Sequence, residues 1–202
     1  MTLSGRLDYF GSSVQKAFSA NSITIRILLE ELRTLLLPWY LQVKFVHLFM
    51  IAMWSFSTAV AYRNFIVPAF RAWQRDPDNA AAIARRNEFM ERFDNGAVLE
   101  HIAFPFVLLS GLLLVWLAGW SWQEVNWLSL KLGIVLFIFV PMEIVDYYLS
   151  HMGGNKRKIR ATGNSSRYEA MTRFHWRFFR VSTPLIIVLV PLVFYLAVTK
   201  PI

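Results

Sequence analysis

The stretch HIAFPFVLLSGLLLVWLAGW, residues 101–120, is the clearest indication of how this chain folds, since it has no ionisable side chain after His101. A helix needs about 20 consecutive apolar residues to cross the hydrocarbon core of a bilayer. This span begins near residue 97, and three other stretches approach its length, at 41–62, 128–150 and 181–199. The 202-residue chain is 56% hydrophobic and 17% charged. These features predict an all-α fold, an integral membrane four-helix bundle.

Residues 1–40 precede the first span and contain an amphipathic pattern. Apolar residues recur at helical spacing along one face: Ile23, Ile27, Leu28, Leu32, Leu35 and Leu36. Arg26, Glu30 and Arg33 lie off that face, so we expect a helix that lies in the membrane interface and ends at Pro38. The chain is therefore divided into an N-terminal segment, 1–40, and a transmembrane domain, 41–202. In the loop after the first span, DPDNAAAIARRNEFMERF at 76–93 predicts a short helix.

The basic residues predict the orientation of the bundle. Six arginines lie between the first and second spans, eight lysines and arginines lie between the third and fourth, and none lies in 121–127. The positive-inside rule then places both long loops in the cytoplasm and both termini outside. Contacts with anionic membrane lipid explain the net charge of +8 more simply than nucleic acid does, so we expect no nucleic-acid partner.

Several ionisable residues lie inside the spans or at their edges: His47, His101, Lys131, Glu143, Asp146 and His151. Ionisable groups are costly at bilayer depth, so these side chains should face one another, water or a cofactor. In the predicted orientation, His47 and Lys131 lie near the outer ends of their spans. His101, Asp146 and His151 lie toward the cytoplasmic ends. The polar residues are therefore expected at two levels.

A metal site in this chain must use histidine, carboxylate or tyrosine, because cysteine is absent. A b-type haem held by two imidazoles needs two histidines at similar depth on facing helices. His101 and His151 meet this requirement, with His175 as a substitute, whereas His47 pairs less well by depth. For each histidine near a span edge, the alternative is an interfacial residue that bonds to headgroups or water.

The third span carries two carboxyl groups one helical turn apart. Glu143 and Asp146 share this part of the helix with Tyr147 and His151. A carboxyl group at this depth can relay protons. It can equally bond a neighbouring helix or pair with a basic residue such as Arg177. The sequence leaves both interpretations open.

Four runs in this chain resemble, in their order, the HemJ-type protoporphyrinogen IX oxidase family. They are KFVHLFMIAMW at 44–54, EFMERF at 88–93 with Pro105 and Gly111 downstream, LKLGIVL at 130–136, and FFRVSTPLIIVLVPLVFYLAVTKP at 178–201. The resemblance implies a small four-helix membrane protein that binds haem b and oxidises protoporphyrinogen IX to protoporphyrin IX. By position, it matches the family's residues to His47, Trp54, Lys131, Arg180, Lys200 and Pro201.

The resemblance also implies roles for the polar residues. It adds His47 to the candidate iron ligands His101 and His151, which are chosen by depth, and it places Trp54 beside the cofactor. Lys131, Arg63 and Arg180 are candidate partners for propionates, and Glu143 or Asp146 would accept protons, so Lys131, Glu143 and Asp146 are the candidate catalytic residues. Two departures stand out: SFSTAVAYRNFIVP follows Trp54, and Val181, Ser182 and Thr183 replace the family's Asn–Glu–Val.

The expected partners are a tetrapyrrole substrate and an electron acceptor, either a quinone or a respiratory-chain protein, in a bacterial inner (plasma) membrane. Homo-oligomers and a larger membrane complex both stay open. Two other functions compete with the oxidase: a haem-bearing electron-transfer subunit and a structural subunit without a cofactor. Haem binding separates the structural subunit from the other two, and turnover of protoporphyrinogen separates the oxidase from the electron-transfer subunit.

Overall fold

The computed structural model describes residues 23–120 and 126–200, and every regular element in these ranges is helical. The helices are α1 (23–36), α2 (Tyr40–Ala61), α3 (Val67–Arg75), α4 (Ala80–Gly96), α5 (Val98–Ala118), α6 (Asn126–Ile134), α7 (Val140–His151), α8 (Lys156–Ala161) and α9 (Ser165–Thr199). Most of the predicted N-terminal segment, 1–22, and Pro201 lie outside the described residues.

Within the described residues, four helical stretches each contain an apolar window long enough to cross a membrane: Ile23–Arg75, Ala80–Ala118, Trp127–Ala161 and Ser165–Thr199. This confirms the predicted four-helix membrane fold. The outward faces are apolar, as with Phe137, which is 81% exposed, and Val198, which is 78% exposed. In a chain with four such spans, these faces are the ones that contact lipid.

The prediction that a helix ends at Pro38 is wrong. The chain stays helical from α1 into α2 through a short 3₁₀ turn, Leu37–Trp39, with Pro38 in its first positions. Proline is tolerated in the first turn of a helix, where its missing N–H would have no intrahelical partner. Pro38 therefore changes the local winding without stopping the helix.

Two wide turns of π-helix interrupt the spans, at Tyr62–Ile66 and Val135–Phe139. Each one precedes a proline, Pro68 or Pro141. A proline ring clashes with the carbonyl four residues earlier, and that carbonyl falls inside the π-turn in both cases. The local widening of the helix accommodates the two prolines.

The predicted helix in the loop after the first span is confirmed as α4. Its first turn begins after Asn79, whose side chain accepts hydrogen bonds from the N–H groups of Ala81 and Ala82, at 3.0 and 3.1 Å. Asparagine is a favoured N-cap because its oxygen satisfies otherwise unpaired helix donors. α4 runs directly into the second span and carries Asp94 to the loop end of the bundle.

The bundle has two apolar clusters, one within the spans and one at the loop end. The first surrounds Trp54 and includes Phe104, Phe139, Leu128 and Leu196. The second contains Ile66, Phe70, Met90, Phe93, Ala97 and Phe179. Polar side chains cross the space between these two clusters, and they form the candidate site.

Candidate functional site

A continuous set of buried and nearly buried polar side chains runs from the middle of the bundle to its loop end. We call it the buried polar chain; its members are Glu143, His101, Asp146, His175, Lys156 and Asp94. These residues come from α7, α5, α9, α8 and α4, so the chain links five helices. It includes both predicted carboxyl groups of the third span and two groups from outside the spans that the sequence did not indicate.

The membrane-side end of the chain is centred on His101. Glu143 accepts a hydrogen bond from the indole N–H of Trp54, and its other oxygen lies 3.9 Å from His101 Nε2. Asp146 Oδ2 lies 3.5 Å from the same nitrogen. Among the described residues, neither His101 Nε2 nor Asp146 Oδ2 has a hydrogen-bond partner. Buried polar atoms in proteins are nearly always paired, and a shift of a few tenths of an ångström would bring these two atoms to an ordinary hydrogen-bond distance.

The loop end of the chain is more tightly connected. His175 Nε2 lies 2.9 Å from Asp146 Oδ1, and His175 Nδ1 contacts the ammonium group of Lys156. That ammonium donates to Asp94 Oδ1 at 2.9 Å and to the Leu149 carbonyl at 3.1 Å. Since an ammonium group can only donate, His175 accepts through Nδ1 and donates to Asp146 through Nε2. This assignment fixes the direction of the hydrogen bonds.

Because the loop end of the buried polar chain is fully buried, substitution of any one of its residues should destabilise the fold. Asp94, Lys156 and His175 are each 0% exposed. Asp94 also accepts a hydrogen bond from the backbone N–H of Lys156 at 2.9 Å. A buried charge is stable only when it is paired and hydrogen-bonded. Asp94 therefore fixes α4 against α8 by two bonds to one residue.

His101 and His151 lie together, as their predicted depth requires. His151 Nε2 is 3.1 Å from His101 Nδ1, and the rings meet edge to face with centroids 4.8 Å apart. A metal–imidazole bond is about 2 Å long, so two axial nitrogens on opposite sides of an iron lie about 4 Å apart with the macrocycle between them. This pair does not fit a haem in the observed arrangement. His175 does not fit either, because both of its ring nitrogens are engaged.

His47 lies at the second, outer level and has a different environment. Its imidazole Nδ1 is 3.0 Å from Ser110 Oγ. The ring lies against Gly111, where an added Cβ would come within 3.1 Å of His47 Cε1. Lys131 of α6 is close enough for its charge to act on His47. The glycine leaves room for the imidazole ring against α5.

The other residues predicted to bind the cofactor, Trp54, Arg63 and Arg180, lie at different depths from His47 along the bundle. Trp54 is 4% exposed and packs between Phe104 and Phe139, which places it between the two levels. Arg63 is exposed and follows His47 by 16 residues, about 24 Å along a helix. Arg180 is exposed at the same loop end, near Tyr62. The structure therefore does not bring Arg63 and Arg180 together with Lys131.

An ion-pair network outside the spans holds the loop end in place. Arg86 is 1% exposed and donates two hydrogen bonds to Glu169 of α9, at 2.9 and 2.6 Å. Its guanidinium also lies 4.5 Å from the ring of Trp73. Burial acts to raise the pKa of Glu169, but hydrogen bonds from Arg86 and Arg173 outweigh it, and the pKa lies below its usual value. This network fixes α4, which carries Asp94, against α9, which carries His175.

Sequence reasoning missed Asp94, Lys156 and Glu100. Lys156 stands in the run KRK at 156–158, which is typical of an exposed cytoplasmic loop, and Asp94 ends an amphipathic helix. Asp94 and Lys156 pair with each other although they are 62 residues apart in the sequence. Glu100 is adjacent to His101 and is 5% exposed, and its position beside a histidine inside a span was the one available signal.

The family of the chain follows from a comparison with family models. A model described as a predicted integral membrane protein, DUF2269, matches residues 41–201, so the chain belongs to this family. No curated protein and no solved structure matches it significantly. Across residues 23–120 and 126–200, no group of three or more histidine, cysteine or acidic side chains is arranged to hold a metal ion.

Proposed function

We propose that this member of the DUF2269 family is a haem b-dependent membrane oxidoreductase that converts protoporphyrinogen IX to protoporphyrin IX. The resemblance to the HemJ-type oxidases suggests the reaction. The buried polar chain is the observation that carries the proposal, because this reaction must remove protons from an apolar substrate. A connected set of proton-accepting groups that leads out of the spans serves that need.

The contacts in the chain suggest a route for the protons. The reaction removes six electrons and six protons from the macrocycle. Glu143 and Asp146 are the carboxyl groups that accept protons within the bundle, and His101 Nε2 lies within 4 Å of both. His175 connects Asp146 to Lys156 through its two ring nitrogens. In the observed direction the bonds run from Lys156 through His175 to Asp146. Outward transfer therefore requires that Lys156 first pass a proton to Asp94 and that the imidazole proton move from Nε2 to Nδ1, after which His175 can accept from Asp146.

His47 would hold the haem iron through Nε2, and Lys131 would pair with a haem propionate at the same level. A bound haem b supplies one-electron oxidation and reduction. The exposed Arg63 and Arg180, at the loop end, would meet the carboxylates of the substrate. A cation at the membrane interface can bind a carboxylate without complete loss of water.

The buried polar chain also bears on the main departure of this protein from the HemJ-type pattern. Where the HemJ-type proteins have an acidic residue before Pro184, this protein has Ser182, which is 4% exposed. Glu143 and Asp146 supply acidic groups in the bundle from a different helix, α7. Asp146 is joined to α9 by His175, seven residues before Ser182. In this proposal, Glu143 and Asp146 take the role of the lost acidic group from the third span.

The test is anaerobic oxidation of protoporphyrinogen IX by the purified, haem-loaded protein with a soluble dye as acceptor, followed by protoporphyrin fluorescence. We expect activity in the natural chain and a loss of about 100-fold in Asp146→Asn, the size typical of a lost proton-transfer group. Glu143→Gln should also slow the reaction. Glu88→Gln is the matched control, because Glu88 is exposed and pairs with Arg92 on the surface of α4, away from the buried polar chain.

Haem content and melting temperature, measured for each variant, separate lost chemistry from lost folding. An inactive natural chain that carries haem would overturn the proposal. So would full activity in both Asp146→Asn and Glu143→Gln.

A further inference from the structure

A cavity of about 260 Å³ lies at the loop end of the bundle, between the π-turn after α2 and the junction of α4 with α5. We call it the loop-end cavity. Its lining includes Phe65, Phe89, Arg92, Phe93, Gly96 and Glu100. The buried polar chain and the proposed haem position at His47 use none of these residues. The cavity is thus separate from the site described above.

The cavity is polar at both ends and aromatic along its walls. Arg92, whose side chain is 71% exposed, stands at the rim, and Phe65 beside it is 49% exposed. Glu100 lies at the inner end and is 5% exposed. The rim is level with the predicted boundary between the apolar span and the cytoplasmic loop. A ligand can therefore enter from the edge of the lipid phase.

We propose that the loop-end cavity binds the ring of a membrane quinone. The quinone accepts the electrons of the oxidation proposed above, so this inference rests on that function. Sites for drug-sized ligands span about 300–1,000 Å³, so this smaller cavity suits one substituted ring and not a four-ring macrocycle. Phenylalanine rings bind a flat aromatic ligand by stacked or edge-to-face contacts. The apolar tail of the quinone leaves past Phe65 into the lipid.

Glu100 lines the cavity and is the neighbour of His101 in α5. It lies close enough to Asp146 and Glu143 for their charges to interact. A quinone becomes a quinol by gaining two electrons and two protons. In each proton step the O–H bond of Glu100 breaks and a new O–H bond forms on the quinone oxygen, and a proton that Glu143 or Asp146 has taken from protoporphyrinogen then restores the O–H bond of Glu100. With quinone as the acceptor all six protons end on quinone oxygens, and the route toward Asp94 serves turnover with an acceptor that takes up electrons alone. One protoporphyrinogen IX, which gives up six electrons and six protons, reduces three quinones.

Gly96 allows a sharp test of the cavity. It is the last residue of α4, and a Cβ added there would meet nothing within 4 Å. Because Gly96 lines the cavity, a leucine at this position would occupy part of the cavity volume. Gly133 in α6 also has open space around an added Cβ and lies in another part of the bundle. Gly133→Leu is therefore a matched control.

The experiment uses the full chain in lipid nanodiscs and a decyl-chain benzoquinone as the probe. Quinone binding is measured by quenching of intrinsic fluorescence, and oxidation of protoporphyrinogen IX is measured with the quinone and, separately, with a soluble dye. We expect Gly96→Leu to weaken quinone binding and to raise the KM for quinone at least tenfold, with unchanged dye-linked activity. Gly133→Leu should match the natural chain. Glu100→Gln should lower kcat with quinone more than it weakens binding.

Unchanged quinone binding in Gly96→Leu overturns the proposal, as does a natural chain that does not bind the probe. If Gly96→Leu fails to accumulate, Gly96→Val gives the same comparison with a smaller side chain. The two proposals fail separately. A protein that oxidises no protoporphyrinogen with either acceptor, yet binds quinone in a Gly96-dependent way, refutes the oxidase and supports the quinone site.

Discussion

His175 Nε2 lies 2.9 Å from Asp146 Oδ1, and this contact joins the loop-side half of α9 to the third span. Both side chains are buried, and the second nitrogen of His175 contacts Lys156. One imidazole therefore connects a carboxyl group inside the membrane to an ion pair at the loop end. Substitutions at Lys156 and at His175 test the two ends of this connection.

Replacing Lys156 with methionine should destabilise the fold strongly. Lys156→Met leaves the fully buried Asp94 without its cation, and removal of one member of a buried pair costs about 3–5 kcal/mol. The double variant Asp94→Leu with Lys156→Met should recover most of the loss, because neither charge is then buried alone. Unfolding in detergent, followed by circular dichroism, measures both. A double variant no more stable than Lys156→Met would contradict the ion-pair account.

Replacing His175 with phenylalanine should interrupt the route between Asp146 and Lys156. We expect oxidation of protoporphyrinogen IX to slow by about 100-fold, with a changed pH profile in the residual activity. His151→Phe is the comparison, since His151 touches the chain only through His101 Nδ1 and should retain most activity. Equal rates in the two variants would show that the route does not pass through His175.

Replacing Gly111 with alanine should disturb the proposed haem ligand. The new methyl group would come within 3.1 Å of His47 Cε1, which forces the imidazole to shift by a few tenths of an ångström. The absorption spectrum of the bound haem should change, and haem should bind more weakly. Gly133→Ala meets no atom within 4 Å and should leave the spectrum unchanged. Its helix should gain about 0.5–1 kcal/mol. Identical spectra for both variants would place the haem elsewhere.

Replacing Glu169 with glutamine should change how the fold responds to acid. Because the pKa of Glu169 lies below its ordinary value of 4.5, its ionised form contributes stability above that pH, and the contribution is lost as the pH falls below it. Glu169→Gln should cost about 1–3 kcal/mol at pH 7, because Arg86 loses a charged partner. The variant should then show a flatter acid dependence. Melting temperatures from pH 7 to pH 3 compare the two proteins, and parallel curves would refute this role.

The sequence was sufficient for the four spans, because an apolar stretch of about 20 residues matches the thickness of the bilayer core. It also predicted that His101 and His151 share a depth, since positive charges orient the helices. It could not show that the rings hydrogen-bond directly, because that depends on rotation of α5 and α7 about their axes. Nor could it pair Asp94 with Lys156, whose segments are joined only by tertiary packing. The prediction that a helix ends at Pro38 was wrong because the effect of a proline depends on its position within a helical turn.

The proposed function depends on haem b bound through His47. The most direct measurement is the optical spectrum of the purified, haem-supplied protein, first oxidised and then reduced with dithionite, for the natural chain, His47→Ala and His151→Ala. We expect a stoichiometric b-type spectrum in the natural chain and in His151→Ala, and its loss in His47→Ala. A colourless natural chain, or an unaltered spectrum in His47→Ala, would contradict the proposal, and a colourless chain would favour a structural subunit.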